Sequence, residues 1–391
     1  MPWSTPSLMA HRLDFVRAVV SRRLTVRAAC RQFGVSEKTG YKWLGRFLRG
    51  GPDALADRSH APITPAHQIP ATLRALICQL RDAHPTWGAR KLRASLRRTQ
   101  PGVPWPAPST ITVVLKQTGR IAPRRRTPRD RGSWATGLTT PQAPNDVWAA
   151  DFKGEFRLHA GPYCYPLTVT DLQSRFVIGL QALAGPTGEA TQAQLSRWFE
   201  QYGLPRVFRT DNGVPFGAPV ALGGLSTLAI WLIRLGIRPE RIHKGVPQEN
   251  GAHERMHRTL KAEATRPAAA TLAAQQRRFD RWRQQFNTER PHEALGQTPP
   301  AAHYTPSPRP YPRSLPLLEY PAHFDVRRVD ASGVIRWSAK RIFLSHVLAG
   351  EYVGVEATGE AEWTIALGPL RLGQYRAEDA VFHEALSWAP F

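Results

Sequence analysis

Cysteine and methionine are scarce in this chain, with three of each in 391 residues. Cys30, Cys78 and Cys164 lie far apart with no CxxC spacing, which argues against a disulfide framework and a cysteine-rich zinc site. No apolar run approaches the roughly 18 to 20 residues that span a bilayer. The first residues lack the basic and apolar regions of a signal peptide. A reducing cytoplasm and no membrane partner are therefore expected. Acidic residues are also in short supply, 30 against 53 Lys and Arg, a net charge of +23.

That deficit is uneven. Residues 1–140 hold 25 basic side chains against 6 acids, while the remaining 251 hold 28 against 24. A basic N-terminal third is the footprint of phosphate neutralisation, whereas a merely solvated surface mixes the signs. Its pattern is helical. An apolar stripe at Leu13, Val16, Ala18 and Val20 is followed by a short helix from Thr25 to Phe33. Gly34 can then take a positive-φ turn, Val35 can plug a small core, and Ser36 can cap a third helix to about Leu48. This is a helix-turn-helix over 9–60. Lys38, Thr39 and Lys42, with Glu37, are expected to read DNA from the start of the third helix. A second such unit is expected over 68–120, with helices at Pro70–Ala83, Ala89–Arg98 and Ser109–Gln117 broken by His84-Pro85 and a proline-rich turn. Residues 121–140 read as a basic linker in which Arg124, Arg125 and Arg126 would track a phosphate backbone.

Three acids stand in well-formed contexts: Asp151 in Val-Trp-Ala-Ala-Asp-Phe, Asp211 in Val-Phe-Arg-Thr-Asp-Asn-Gly, and Glu254 in Pro-Gln-Glu-Asn-Gly-Ala-His-Glu. Two follow apolar runs that read as buried strands, and the third begins a helix. Taken singly, an acid at a strand end is usually a turn former or a cap. Converged, the three would repel one another unless a divalent cation neutralised them, and hard oxygens select magnesium or manganese over zinc. Two magnesium ions, with manganese able to substitute, suit in-line phosphoryl transfer on a phosphodiester.

The segment PQENGAHERMHRTLK, Pro247–Lys261, resembles the catalytic-glutamate helix of the retroviral integrase superfamily and of related bacterial insertion-sequence transposases. Downstream, Phe286–Leu295 with Gly296 and Thr298-Pro299 resembles the segment after their core, and the likeness extends from about Ala10 to Ala301. The resemblance implies a DDE enzyme with Asp151, Asp211 and Glu254 as catalytic metal ligands. It implies cleavage at the ends of a mobile element and transfer of a 3′-hydroxyl into target DNA. Its partners would be terminal repeats and target DNA, bound by a dimer or tetramer on paired ends and associated with the nucleoid. The interval from Asp211 to Glu254 exceeds the thirty-five intervening residues the family often shows, with the surplus placed in Val214–Leu225.

The fold expected is multidomain. Helical units come first, then an α/β, RNase H-like core over 141–300, and last a small β module over 317–391, an SH3-like barrel by resemblance. Asn212 and Asn250 are expected to shape the active-site loops and touch DNA, and Arg258 and Lys261 to lie on the Glu254 face of the helix. Asp171 reads as a turn residue rather than a ligand. The stripe Phe279, Trp282 and Phe286 reads as core packing or a contact between protomers. Two other functions fit parts of the sequence. His253-Glu-Arg-Met-His257 satisfies the HExxH signature of zinc metalloproteases, though on a basic helix with acidic partners. A domesticated, non-catalytic DNA-binding regulator would keep the same fold.

Overall fold

The computed structural model describes residues 7–57, 69–121, 137–218, 221–243, 246–378 and 380–388. It divides into two compact units, Met1–Pro70 and Ala71–Phe391.

In the first unit, α1 (Leu8–Val20), α2 (Val26–Gln32) and α3 (Glu37–Gly50) each start at a hydroxyl cap: Ser7, Thr25 and Ser36 accept from the backbone N–H three residues on. Phe15, Val16, Ala29, Cys30, Trp43 and Leu55 form the core. Gly34 takes φ +65°, as the α2–α3 turn requires. Gly40 lets α3 press on its neighbours, since a Cβ there would collide with Cys30 Sγ and Phe15.

The second unit opens with α4 (Ala71–Ala83), α5 (Ala89–Thr99) and α6 (Pro108–Gln117). The helix α5 is committed to the region that follows the core: Arg90 pairs with Glu293 at 2.6 Å, Lys91 donates to the Pro291 carbonyl, and Arg98 donates to Glu289 O at 2.8 Å.

A mixed sheet follows. Its strands are β1 (Val147–Phe152), β2 (Phe156–Arg157), β3 (Tyr163–Asp171) and β4 (Val177–Leu183), then, after α7 (Gly188–Tyr202), β5 (Val207–Thr210). After α8 (Thr227–Arg234) comes β6 (Arg238–Arg241). Hairpin-connected β1, β3 and β4 pair antiparallel, while β5 and β6 join β1 in parallel through helical crossovers, giving the order β4-β3-β1-β5-β6. The central strands are apolar on both faces because helices cover both. On one side Trp148, Phe199, Phe208 and Trp231 pack together. On the other, α9 (Gly251–Ala264) and α10 (Leu272–Thr288) bury Met256, Leu260, Phe279, Trp282 and Phe286. The aromatic stripe of α10 is thus internal core, at 0%, 5% and 4% exposure, and offers no surface to a second protomer.

The C-terminal module departs from the closed barrel expected. Strands β7 (Asp325–Arg328), β10 (Tyr352–Gly359), β11 (Glu362–Leu367), β12 (Leu370–Arg376) and β13 (Val381–Trp388) form an open antiparallel sheet with β7 and β13 at its edges, and β8 (Val334–Trp337) and β9 (Lys340–Phe343) form a separate hairpin. The sheet has no need to close on itself because α8 covers it. Ala229, Ile230 and Ile233 of α8 share one cluster with Val355, Ile365 and Leu372, while Leu228, Trp231 and Leu232 face the mixed sheet. A helix apolar all round is buried on both sides. The proline-rich stretch before the module lies along the core, where Arg309 donates to the Pro205 and Gly236 carbonyls and Tyr304 stacks on Phe176.

Candidate metal centre

Parallel pairing sets the first two acids side by side. Val147 lies opposite Val207 and Ala149 opposite Arg209, an offset of sixty positions that also separates Asp151 from Asp211. Adjacent strands run about 4.8 Å apart, so both carboxylates leave the same end of the sheet. Asp211 follows the last residue of β5. Its Oδ1 accepts from Gly213 N at 3.1 Å, and the Asn212 side chain ties the loop down by donating to Ile242 O at 2.8 Å.

Behind this end, Arg209 and Glu240 form a buried ion pair at 2.7 Å, each 7% exposed. Thr139 completes it, donating both N–H and O–H to Glu240 Oε1 at 2.8 Å. These bonds satisfy most of the pair's polar valence, the condition under which a buried pair is tolerated.

The third acid, Glu254, sits exposed in the first turn of α9. Beyond its apolar packing, that helix is bonded to the sheet by the HExxH histidine pair. Thr168 Oγ1 donates to Asp151 O at 2.9 Å, and the Nε2 atoms of His253 and His257 both lie 2.7 Å from the same hydroxyl. A threonine hydroxyl has one proton and two lone pairs, so with its proton given to Asp151 both imidazoles must donate. His253 Nδ1 then accepts from Thr170 Oγ1 at 2.7 Å. Burial pushes His253 down to about 3. Burial, then the neighbouring His253 and Lys153, push His257 to about 2, so both rings are neutral. Both nitrogens of His253 are spent, which removes the zinc-protease reading even though Asp151, His253 and His257 offer ligand atoms within 4.8 Å of one another. These two histidines and two threonines were missed as functional residues by sequence reasoning. Their signals were present as Thr168 and Thr170 on one strand face and two histidines one helical turn apart.

Asp151 registers its neighbours. Burial first and then the Asp211 charge push its carboxyl up to about 7, with Glu254 adding to the rise against a Phe152 backbone bond and Lys153. The bare His257 Nδ1, 3.6 Å from Asp151 Oδ2, presents a lone pair to it and works in the same direction. An acid held in this way is poised to exchange its proton for a cation, and carboxylate oxygens are hard donors that suit magnesium. Asp171, by contrast, is fully buried and accepts from Asn145 N at 2.8 Å, Ser174 N at 2.7 Å and Ser174 Oγ at 2.5 Å, which makes it the turn residue expected.

The other expected contacts scatter. Lys38 and Lys42 are exposed on α3, while Thr39 is half-buried and bonded to Ser36. Asn250 needs correction as a DNA contact, because it is 4% exposed at the start of α9 and faces inward. Arg258 and Lys261 are both exposed, but they line different cavities on the two flanks of α9. Arg124, Arg125 and Arg126 lie outside the described residues.

Two integrase core domain families match residues 141–247 and 235–300, together tiling the mixed sheet, α9 and α10. This is an integrase-core protein of the insertion-element type. In this integrase-core protein a helix-turn-helix domain family matches 11–63 and a homeodomain-like domain family matches 39–115. The IS476 uncharacterized 39.2 kDa protein of Xanthomonas euvesicatoria is 29% identical over 245 residues, 62% of this chain and 66% of its own length. The IS407 uncharacterized 31.7 kDa protein of Burkholderia multivorans is 26% identical over 243 residues, 62% of this chain and 83% of its own. Among solved structures, the HTLV-2 integrase catalytic core domain in complex with magnesium covers 42% of this integrase-core chain and 100% of that one at 17% identity. The TM-score is 0.31, too low to add to the reading. No described helix is long and apolar enough to cross a membrane.

Proposed function

We propose that this integrase-core protein is a DDE transposase that cuts DNA at the ends of its mobile element and joins the freed 3′-hydroxyls to target DNA. The observation that carries the reading is the placement of Asp151 and Asp211 at the same end of two adjacent parallel strands, where burial first, and then the Asp211 and Glu254 charges, push the Asp151 carboxyl up to about 7. Asp151, Asp211 and Glu254 fit hard divalent cations, magnesium with manganese as a substitute, because their like charges are otherwise uncompensated. When bound, such ions supply Lewis-acid activation of an attacking oxygen and neutralise the leaving oxygen.

The chain's own part is placement. Thr168 and the two histidines fasten the first turn of α9, which carries Glu254, to β3 beside the strand of Asp151, and Asp151 would hold a cation in its ionised form. Lys261 is exposed on the same helix and can contact a phosphate of the substrate strand. The helix-turn-helix unit with exposed Lys38 and Lys42 would hold terminal-repeat DNA, and two bound ends require at least two copies of the chain.

The test is magnesium-dependent nicking of supercoiled plasmid carrying the element's ends. Asp151→Asn, Asp211→Asn and Glu254→Gln should each abolish nicking and leave end binding intact. Near-normal nicking by any one of them removes that residue from the set. End binding by the wild-type chain with no cleavage in magnesium or manganese would make it a non-catalytic regulator.

A further inference from the structure

A cavity of about 1110 Å³ lies between the α4–α5 turn, the β3–β4 turn and the flank of α9. On α9 the lining residues include Ala252, Arg255, Thr259 and Ala262, spaced by three and four and so forming one stripe. Neighbouring residues on a helix differ by about 100°, which puts this stripe a quarter turn around α9 from Glu254.

The lining is strongly cationic. Arg175, Arg255 and Arg258 have no hydrogen-bond or ion-pair partner for their guanidinium groups among the described residues. Lys91 and Arg290 lie behind them, the first held by the Pro291 carbonyl and the second by Glu263 at 2.7 Å. Two acids share the wall: Asp171 favours the Arg175 cation through its charge but spends its hydrogen bonds on Asn145 and Ser174, and Glu293 is paired with Arg90, so the cations outnumber the acids. His292 also lines the wall, with its Nε2 buried and unpartnered. Burial and then the Arg255 charge lower Arg175's affinity for its proton, so the two guanidiniums repel one another in a half-buried site. Arg175 further occupies φ +64°, a conformation costly for any residue but glycine. Like charges gathered around a cavity, one of them on a strained backbone, describe a site awaiting an anion.

We propose that this cavity holds the phosphodiester backbone of a DNA strand, with Arg175 and Arg255 as its principal contacts and Arg258 at its entrance toward Glu254. The inference rests on the transposase reading and extends it. The substrate strand would continue from the acids around α9 and pass beneath the second helical unit, so that α4–α6 and the core grip one duplex between them.

The test is the salt dependence of duplex binding by the full chain, measured by fluorescence anisotropy on a labelled duplex of random sequence. Each phosphate contact contributes about 0.9 to the slope of log K against log salt. Arg175→Gly with Arg255→Gln should therefore shallow the slope by about 1.8, and Arg175→Lys should restore its share. Glycine accepts φ +64°, so Arg175→Gly should hold or raise Tm, which separates lost binding from lost fold. An unchanged slope in the folded double variant overturns the proposal. Stabilisation by inorganic phosphate that depends on Arg175, with the DNA slope unchanged, would also overturn it and make the cavity a small-anion site. Asp211→Asn serves as the control: it should lose nicking and keep the full slope. Absent nicking in the wild type, with the slope change present, would reject the transposase reading and leave the cavity assignment standing.

Discussion

Asp151→Asn should make the metal-free protein more stable at alkaline pH, even though it destroys the proposed site. The Asp151 carboxyl sits near 7 in the fold against 3.8 for the free side chain. A raised carboxyl favours the folded state less as pH climbs: the penalty begins above the unfolded value, grows through the interval, and is complete above about 7. At 1.36 kcal/mol per unit the nominal cost at pH 8 is about 4 kcal/mol. The side chain keeps 26% of its exposure, and solvent reaching it trims the figure to about 3 kcal/mol. Asparagine has nearly the same shape and no charge, so it recovers that amount. Unfolding entropy near 2.1 cal/mol/K per residue in a unit of roughly 320 residues converts the gain to about 4 °C in Tm. Scanning calorimetry in chelator at pH 8, repeated toward pH 4.5, measures it, and the gap should narrow as pH falls. Magnesium should then raise the Tm of the wild type and leave the variant nearly unmoved. A variant no more stable than wild type at pH 8, or a gap independent of pH, would refute the account of why Asp151 is raised.

Thr168→Val removes the hydroxyl that joins β3, Asp151 and both imidazoles, stranding two buried N–H groups at a cost of about 2 to 4 kcal/mol. Nicking should fall in kcat more than in KM, and Thr168→Ser should restore both; equal activity in the valine variant would remove the lock from the mechanism. Glu240→Ala leaves the Arg209 guanidinium buried without its partner and should cost about 3 kcal/mol in urea unfolding. Below pH 7, each unit of acidification should weaken magnesium affinity about tenfold, because Asp151 must release its proton first; titration calorimetry at pH 6 and 8 measures this. Lys42→Ala should change stability by no more than about 0.5 kcal/mol and weaken binding to end DNA more than to random DNA, whereas equal loss on both would reassign Lys42 to phosphate contact.

The elements of the core were legible because each carries its own period. Buried positions recur at helical spacing through Gly188–Tyr202, which forms α7, and the run Leu-Thr-Val-Thr marks β3 within Tyr163–Asp171. Local pattern says nothing about closure. Whether β7 meets β13 depends on pairing across more than fifty residues and on a helix from another part of the chain, so open sheet and barrel read alike. Asn250 looked exposed because polar residues before a helix usually are; its inward turn belongs to the packing of α9 on β1 and β3. The two histidines were legible as a pair but their threonine partners were not, since HExxH spacing specifies a shared helix face and not what that face meets.

The all-round apolar character of α8 bears on how this chain could exchange parts with its relatives. A module on a tether can be cut off or traded with little effect on what remains. Here Ile230 and Ile233 would come out of a dry interior into water if the C-terminal sheet were lost, together with the neighbouring Leu222 and Leu225. Each such side chain is worth about 1.5 to 3 kcal/mol when fully buried. Recombination that replaced the tail would have to bring a matching apolar face or resurface α8. The seam for swapping therefore lies ahead of Leu222, inside the region that carries the acids, rather than in the proline-rich stretch before the C-terminal sheet.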